Sequence, residues 1–403
     1  MKVLISGAGI AGPALAYWLQ RAGFEPTVVE LAAAPRPGGQ TVDIRGVAQE
    51  VVRRMGLMPA IRARRLPEKG LAYIRANGKQ AAAMPAELLD GAGPVAEIEI
   101  LRGDLSELLL AATSDVEYLY GDSVTGLTQT ADGVRVSFAT AADRDFDLVV
   151  GADGVHSRIR ALAFGPEAEF VHHLGGYGAY FTIPAPEDLD GWMKIHNAPG
   201  GRWVGLRPDH DPRFARALLS FRSPEISYNR RDVEEQKALL ARRFQDVGWH
   251  ARKVLDGMRT AEDFYLDSTS SVVVPEWSRG RVVLLGDAGY CGSPLAGHGT
   301  ALSLVSAYVL AGELAVDGDH RRAFPAYQEV MREYVVQRSA LPPGGIAMAL
   351  PMSALGIRGR DLMIRTMTSR PFRGVLAKVA AAEPDAIELP DYAALTAARH
   401  TAP

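Results

Sequence analysis

The chain has 403 residues, which is enough for more than one hydrophobic core. Apolar residues make up 47% and charged residues 23%, as in ordinary globular proteins, and the net charge of -3 gives no basic field that would favour nucleic acid or an anionic membrane as a partner. A single cysteine, Cys291, excludes an internal disulfide and a metal site built from several cysteines.

The first 30 residues predict a strand, a glycine-rich turn, a helix and a second strand. Residues 3–5 and 27–29 are short apolar strands, and residues 14–21 between them predict a helix that ends at Gly23. Pro13 is acceptable in the first turn of a helix, where its missing N–H is no loss. No segment reaches about 18 uninterrupted apolar residues, so the sequence predicts no membrane span. The apolar run at residues 3–19 is preceded by a single basic residue, Lys2, and is interrupted by glycines, so we expect no signal peptide. The single cysteine fits a reducing cytoplasm, where we expect the protein to be.

Further along the chain, two more apolar strands, at residues 147–150 and 282–285, lead directly into glycines. Ligands bind at the carboxyl ends of strands in open α/β sheets, so we expect a ligand site at these glycines. Asp132-Gly133 and Asn77-Gly78 predict two hairpins. Three strands at 177–183, 203–206 and 217–221 predict a second sheet, and residues 324–340 a long helix.

These elements predict an α/β fold of the Rossmann type with an inserted sheet domain. We expect the cofactor-binding domain to be discontinuous and to comprise residues 1–69, 101–171 and 275–323. Residues 70–100 and 172–274 would form the sheet domain, which covers the ligand. Residues 324–403 would form the long helix and a partly helical C-terminal tail.

Residues 7–12 match the pattern G-x-G-x-x-G in the context that this pattern requires. The motif follows a strand, opens a helix and has an acidic residue, Glu30, at the end of the next strand. Its glycines permit a tight turn and a close approach of a pyrophosphate, and the helix N-terminus supplies N–H donors. The predicted dinucleotide contacts are Gly7, Gly9, Ile10, Ala11, Gly12 and Glu30. The alternative is a tight βαβ turn without a ligand.

Two later motifs accompany the first. One is Gly151-Ala152-Asp153-Gly154-Val155-His156-Ser157-Arg158, and the other is Gly286-Asp287-Ala288 followed by Pro294, Gly297 and Gly299. The three motifs in this order resemble those of the flavoprotein aromatic hydroxylases, whose type member is para-hydroxybenzoate hydroxylase. Within that family, the run from Gly38 to Asp43 resembles the branch that contains the tetracycline-inactivating monooxygenases.

The resemblance implies a non-covalent FAD. Asp287 would accept a hydrogen bond from the ribityl chain, and the helix after Pro294 would direct its N-terminus, with Gly297, Gly299 and Thr300, at the flavin ring. Asp153 would lie where the FAD and nicotinamide paths cross, and Arg36 and Arg102 would hold the pyrophosphate or the ribityl chain. The alternatives are a helix-cap or turn aspartate for Asp287 and Asp153, and solvated surface side chains for the arginines.

The chain departs from the family pattern at several positions. Ala301 and Ser306 stand where the family often has Asn and Asp, and Tyr290 replaces a usual His. Asn side-chain contacts to the flavin are therefore excluded, although backbone contacts are not. We expect Cys291 to lie near the cofactor as a small buried residue.

The resemblance also implies the reaction. NADH or NADPH would reduce FAD, and oxygen would then supply one atom to a small aromatic or polycyclic substrate by hydroxylation, epoxidation or Baeyer–Villiger insertion. No side-chain nucleophile or metal site is predicted, and the chain would be a monomer or a homodimer. The predicted substrate contacts are Tyr180, Phe181, Arg202, Trp203 and Phe221, of which the aromatic residues have plain core packing as their alternative.

Two other functional classes remain open at this point. One is a different flavoenzyme on the same fold, such as an amine oxidase or a double-bond reductase. The other is a non-catalytic flavin- or ligand-binding protein, which the substitutions Ala301 and Ser306 keep open.

Overall fold

The computed structural model describes residues 1–35, 39–66, 68–89, 96, 98–292, 294–341, 344–372 and 385–392. In chain order the strands are β1 (Lys2–Ser6), β2 (Glu25–Glu30), β3 (Thr41–Asp43), β4 (Gly70–Ile74), β5 (Gln80–Pro85), β6 (Glu99–Leu101), β7 (Glu117–Tyr120), β8 (Val124–Gln129), β9 (Val134–Phe138), β10 (Arg144–Phe146), β11 (Leu148–Gly151), β12 (Val171–Pro184), β13 (Met193–Ala198), β14 (Arg202–Pro208), β15 (Phe214–Arg222), β16 (Tyr265–Val273), β17 (Ser278–Arg279), β18 (Val282–Leu284) and β19 (Tyr290–Cys291).

The helices are α1 (Ala11–Arg21), α2 (Ala48–Arg54), α3 (Met58–Ala63), α4 (Arg102–Ala111), α5 (Arg158–Ala163), α6 (Val233–Phe244), α7 (Ala251–Thr260), α8 (Gly299–Asp317), α9 (His320–Ser339), α10 (Gly345–Ala349) and α11 (Ala354–Met367). Short 3-10 helices include Gly286–Ala288 and Pro294–Ala296.

The first sheet has six strands in the order β17-β18-β11-β1-β2-β7, and all its pairs are parallel except β17 with β18. In this register Ser6 lies beside Gly151, and Gly151 beside Leu284. The carboxyl ends of three strands therefore meet at one edge, which is where the sequence places its three glycine-rich motifs.

The second sheet has eight strands in the order β19-β16-β12-β15-β14-β13-β4-β5. One face packs on α6 and α7 through a hydrophobic cluster that includes Tyr177, Phe181 and Phe221. Alternate positions, including Tyr180 and Trp203, point to the other face, because successive side chains of a strand point to opposite faces. A two-stranded ribbon, β3 with β6, and a three-stranded sheet, β10-β9-β8, complete the strands.

Helices α8 and α9 extend the core of the first sheet. α8 is apolar and long enough to cross a membrane by composition, the one such helix among the described residues. It is nevertheless 78% buried within the protein over its apolar window and packs between α1 and α9, which is the arrangement of a core helix.

The predicted fold class is confirmed: a Rossmann-type sheet carries an inserted sheet domain and C-terminal helices. α1 begins at Ala11 rather than residue 14, because the glycine turn passes into the helix with no intervening residues. The predicted domain boundaries stay a prediction. Two strands lie outside their expected groups. β19 pairs with β16 of the second sheet although residues 275–323 were assigned to the other domain, and β6 pairs with β3 although residues 70–100 were assigned to the sheet domain.

Candidate functional site: a cofactor edge and a sheet face around one cavity

The turn after β1 requires glycine at two positions for different reasons. Gly7 has a φ of +108°, which favours glycine, and its N–H donates to the carbonyl of Val29 at 2.7 Å. A Cβ at Gly12 would lie 1.9 Å from the carbonyl oxygen of Gly7, so any side chain would push the helix off the turn. A Cβ at Gly9 would lie 3.1 Å from Nη2 of Arg102, so a side chain at this position would crowd the guanidinium that lies against the turn.

Glu30 ends β2 beside this turn. Its carboxylate accepts N–H bonds from Ala8 at 2.8 Å and Ala32 at 2.9 Å, and so ties the glycine turn to the second strand. Each carboxylate oxygen can accept more than one hydrogen bond. Glu30 lines the cavity and retains the capacity to accept ribose hydroxyls.

Asp287 lies on the turn after β18, deep in the protein. Burial raises the pKa of its carboxyl, which the Cys291 thiol and the charge of Arg102 partly offset. No backbone N–H of a described residue donates to this carboxylate, so the turn does not need it as a cap. A buried carboxyl with so few donors is suited to a ligand hydroxyl.

The residues that replace the family's Asn and Asp have different surroundings. Ala301 lines the cavity, whereas Ser306 is fully buried and donates its hydroxyl to the Leu302 carbonyl of its own helix. Tyr290 packs against Trp277 at 4.3 Å between ring centroids, and its hydroxyl is hydrogen-bonded to that of Tyr327. Ser306 and Tyr290 therefore pack inside the hydrophobic core. Cys291 lines the cavity next to Asp287.

Asp153 has a structural task in addition to its place in the cavity wall. Its carboxylate accepts the backbone N–H groups of Arg158 at 2.7 Å and Ile159 at 3.1 Å, and the Ser157 hydroxyl. It therefore caps the start of α5. Burial nevertheless raises its pKa, against the effect of these hydrogen bonds.

A single cavity of about 2400 Å³ joins the edge of the first sheet to the face of the second. We call its two sides the cofactor edge and the sheet face. The cofactor edge includes the predicted residues Gly7, Gly9, Ile10, Ala11, Glu30, Arg102, Asp153, Asp287, Gly297, Gly299 and Thr300. Gly12 does not line the cavity and instead allows the close packing of α1 on the turn at Gly7. Pro294 begins the short 3-10 helix that precedes Gly297. Arg36 lies outside the described residues.

The sheet face is formed by Leu71, Tyr73, Tyr180, Met193, Ile195, Trp203 and Arg207. Of the predicted substrate contacts, Tyr180 and Trp203 therefore line the cavity. Phe181 borders it as well, but its side chain is 2% exposed and packs on Phe264 in the opposite core.

The other two predicted substrate contacts lie elsewhere, which corrects their placement. Phe221 is fully buried in the core under α6 and stacks on Tyr177 at 5.3 Å. Arg202 is ion-paired with Asp246 and also donates to the carbonyls of Pro199 and Arg243. Strand alternation explains both cases, because Phe221 points away from the face that Tyr180 and Trp203 occupy.

A hydrogen-bonded network in the cavity wall was not predicted. His156 contacts Asp267 at 3.1 Å through Nε2 and Glu167 at 3.1 Å through Nδ1, and the Tyr265 hydroxyl donates to Asp267 at 2.7 Å. Burial opposes the charged imidazole, but the hydrogen bond and negative charge of Asp267 prevail and raise the pKa of His156. Sequence offered no signal for this network, since Asp267 is 111 positions from His156.

Comparison with known proteins settles the family. A family model described as an FAD binding domain matches residues 1–324. The chain belongs to this FAD-binding family. A flavin-dependent monooxygenase of Legionella longbeachae is 39% identical over 336 residues, which cover 83% of this chain and 86% of the relative. The family's named members identify this chain as an FAD-dependent monooxygenase.

Two solved structures share the fold over nearly the whole chain. The tetracycline destructase Tet(51) superposes with a TM-score of 0.81 at 34% identity, covering 97% of this chain and 98% of that one. HpxO of Klebsiella pneumoniae, solved with FAD and uric acid, shares the fold at 21% identity, with a TM-score of 0.74 over 95% of this chain and 97% of that one.

The cofactor edge suits the FAD that the family binds. The open approach at Gly9 and the backbone donors of the turn suit a pyrophosphate, and Glu30 suits a ribose. The poorly satisfied carboxyl of Asp287 suits a ribityl hydroxyl. At the far end, the N-terminus of the 19-residue helix α8 opens into the cavity at Gly299 and Thr300.

Proposed function

We propose that this chain is a single-component monooxygenase that uses NADH or NADPH and oxygen to insert one oxygen atom into an aromatic or polycyclic small molecule. The observation that carries the proposal is the continuous cavity of about 2400 Å³. Pockets for one small ligand are typically about 300–1,000 Å³, so this cavity has room for a dinucleotide and a second molecule.

The sheet face supports an aromatic substrate. Trp203 lies over Gly205, where a Cβ would come within 2.7 Å of its ring, so the indole is held flat against the strand. Leu71, Met193 and Ile195 form an apolar cluster beside it. Flat apolar walls of this kind bind rings through area burial and aromatic packing.

A basic side of the same cavity supports a nicotinamide dinucleotide as reductant. Arg158, Arg230, Arg231 and His156 all border it, and the raised pKa of His156 favours its charged form. Cationic side chains of this kind suit a pyrophosphate or a ribose phosphate. We propose that this side receives NADH or NADPH and that Asp153 supports it from below by capping α5.

When bound, FAD would supply the redox chemistry of the reaction, as hydride acceptor and as the group that activates oxygen. The residues of the chain bind, orient and exclude water. The N-terminus of α8 stabilises negative charge on the flavin through its N–H groups and dipole. Asp287 and Glu30 fix the cofactor's polyol and ribose, and the apolar sheet face keeps water away from the reacting ring.

Polycyclic compounds are the first substrates to test. Two relatives with closely similar structures are tetracycline destructases, Tet(51) and Tet(55), at 34% and 35% identity. We propose a flat, multi-ring substrate for this chain, with tetracyclines, phenols and quinolones as the compounds to compare.

The test is a turnover screen of the flavin-loaded protein with each compound, NADH or NADPH, and air. We expect a compound that accelerates nicotinamide oxidation and yields a product heavier by one oxygen atom. Peroxide release without any oxygenated product across the whole screen would favour a flavin oxidase instead. Amine turnover without nicotinamide would place the chain in the amine oxidase class.

A further inference from the structure

A charge cluster at the border of the sheet face has no assigned part in the proposed mechanism. Arg207, on β14, lies between two carboxylates: its Nε is 3.1 Å from Oε1 of Glu68, and its Nη2 is 3.2 Å from Oε2 of Glu99. The two carboxylates are 0% and 1% exposed, and Arg207 is 11% exposed. One cation thus faces two buried anions.

The hydrogen bonds of this cluster are incomplete. The carboxylate of Glu99 accepts the N–H of Ala96 at 2.9 Å, but both oxygens of Glu68 are buried and accept no hydrogen bond of normal geometry from a described residue. The Glu68 carboxyl lies within hydrogen-bonding reach of that of Glu99. A proton shared between the two carboxyl groups would therefore supply the missing donor. It would also balance the single charge of Arg207.

The charges around the pair favour such a proton. Burial raises the pKa of Glu68 and raises that of Glu99 to about 8, with Arg207 acting in the opposite direction. Asp43, which is paired across the ribbon with Glu99, adds negative charge and is itself bound by Arg45 at 2.8 Å. The remaining titratable group that faces Arg207 is Tyr180.

Arg207 also reaches the cavity. Nε and Nη2 face the carboxylates, whereas Nη1 is not buried and donates to no described residue. Trp203 lies four positions earlier on the same face of β14, with Gly205 between them. A ring lying flat over Trp203 and Gly205 would therefore place an edge oxygen at the guanidinium.

We infer that Arg207 binds the anionic oxygen of a flat aromatic ligand, and that Glu68 and Glu99 share one proton that must be present when this anion binds. With the proton the cluster of three residues is neutral, and without it the cluster carries one negative charge that repels the ligand. This inference rests on the proposed function, because it names the ligand class and the recognising residue of the same cavity.

The test uses 2-naphthoate as an anionic probe and 2-naphthamide as a neutral one. The carboxylate of 2-naphthoate is fully ionised from pH 6.5 to pH 9, so a proton taken up on binding must enter the protein. Titration calorimetry of the flavin-loaded protein in two buffers of different ionisation enthalpy counts that proton. No turnover is required.

We expect 2-naphthoate to bind with almost no proton uptake at pH 6.5 and with about one proton at pH 9, where its affinity should be about tenfold lower. 2-Naphthamide should show neither effect. Glu68→Gln should retain binding and lose both effects, because the amide donates to Glu99 in place of the proton and the cluster stays neutral. Glu234→Gln, an exposed site with the same change of charge, is the matched control.

The inference is overturned if 2-naphthoate fails to bind at pH 6.5, if its affinity is the same at both pH values, or if Glu68→Gln behaves like the wild type. Flavin content and NADH or NADPH oxidation are measured on the same samples. A protein that oxidises nicotinamide but lacks the proton effect refutes the inference alone. A protein that shows the proton effect but oxygenates nothing refutes the proposed function alone.

Discussion

Asp287 illustrates how a single residue can reveal a ligand site. Its carboxyl is buried, its pKa is raised by burial, and the turn around it supplies no backbone donor from a described residue. The pKa of this carboxyl is higher in the folded protein than in the unfolded chain, so its ionisation lowers the stability of the fold. This loss of stability increases as the pH rises above the ordinary aspartate range. A residue that destabilises the empty protein is best explained by what it does for a ligand.

We predict opposite effects of Asp287→Asn on stability and on binding. The apoprotein should melt at the same temperature or higher at pH 7.5, since the buried charge is gone, and the difference should vanish near pH 4. FAD affinity should fall about 10- to 150-fold for Asp287→Ala and less for Asp287→Asn. Melting curves and FAD titrations of the apoproteins measure both. Unchanged FAD affinity in both variants would remove Asp287 from the cofactor edge.

Trp203 and Arg202 provide a matched pair, because they are neighbours on β14 with only the first facing the cavity. We predict that Trp203→Ala raises the KM for an aromatic substrate about tenfold or more, since the loss of a ring contact is worth about 1.5–3 kcal/mol. Arg202→Ala should leave KM within about twofold. Steady-state kinetics at saturating FAD measure the KM of both variants. Equal changes in KM for the two variants would argue against the sheet face as the substrate-binding surface.

At the scale of the element, the strand–turn–helix unit of β1 and α1 depends on contacts that only glycine allows. A Cβ at Gly12 would overlap the carbonyl of Gly7, whereas a Cβ at Gly23 would meet nothing within 4 Å. We predict that Gly12→Ala abolishes FAD retention on purification. Gly23→Ala should keep FAD and cost about 1 kcal/mol, for its φ of +80° alone. A yellow Gly12→Ala protein would show that the turn tolerates displacement.

The turn after β11 is joined to β16 by the contact of His156 with Asp267. The pKa of His156 is raised, so its contribution to stability is complete below about pH 6.5 and declines as the pH rises through the higher folded value. The pKa of Asp267 is lowered, because the hydrogen bond and charge of His156 outweigh burial; its contribution is therefore lost only on acidification.

We predict that His156→Gln lowers the free energy of unfolding by about 1 kcal/mol at pH 5.5 and by less at pH 9. Denaturant melts at the two pH values measure this difference. A cost that grows with pH would contradict the assigned direction of the shift.

Sequence identified the cofactor edge better than the sheet face, for a physical reason. Glycine motifs at strand ends are local patterns, so the turn at Gly7 could be predicted from its spacing, and Asp153 and Asp287 from the resemblance of their motifs to those of the flavoprotein hydroxylases. The substrate side depends on which face of each long strand turns inward, which is a property of the whole sheet. That property separated Tyr180 and Trp203 from Phe221. The partners of Arg207, Glu68 and Glu99, lie 139 and 108 positions away from it in the sequence, so no local pattern indicates them.

At the scale of the whole molecule, the function depends on two sheets that together enclose one cavity. The first sheet presents backbone groups and carboxylates to the cavity, and the second presents an apolar face bordered by the guanidinium of Arg207. We propose that cofactor and substrate meet where the two sides join. This joint site is the central claim of the account.

The most direct test of that claim is the source of the oxygen in the product. The flavin-loaded protein is supplied with NADH or NADPH, the most active compound of the screen, and heavy-isotope dioxygen in ordinary water. We predict one heavy oxygen atom per product molecule and one nicotinamide oxidised for each. A product whose new oxygen comes from water, or nicotinamide oxidation that yields only peroxide, would contradict the account.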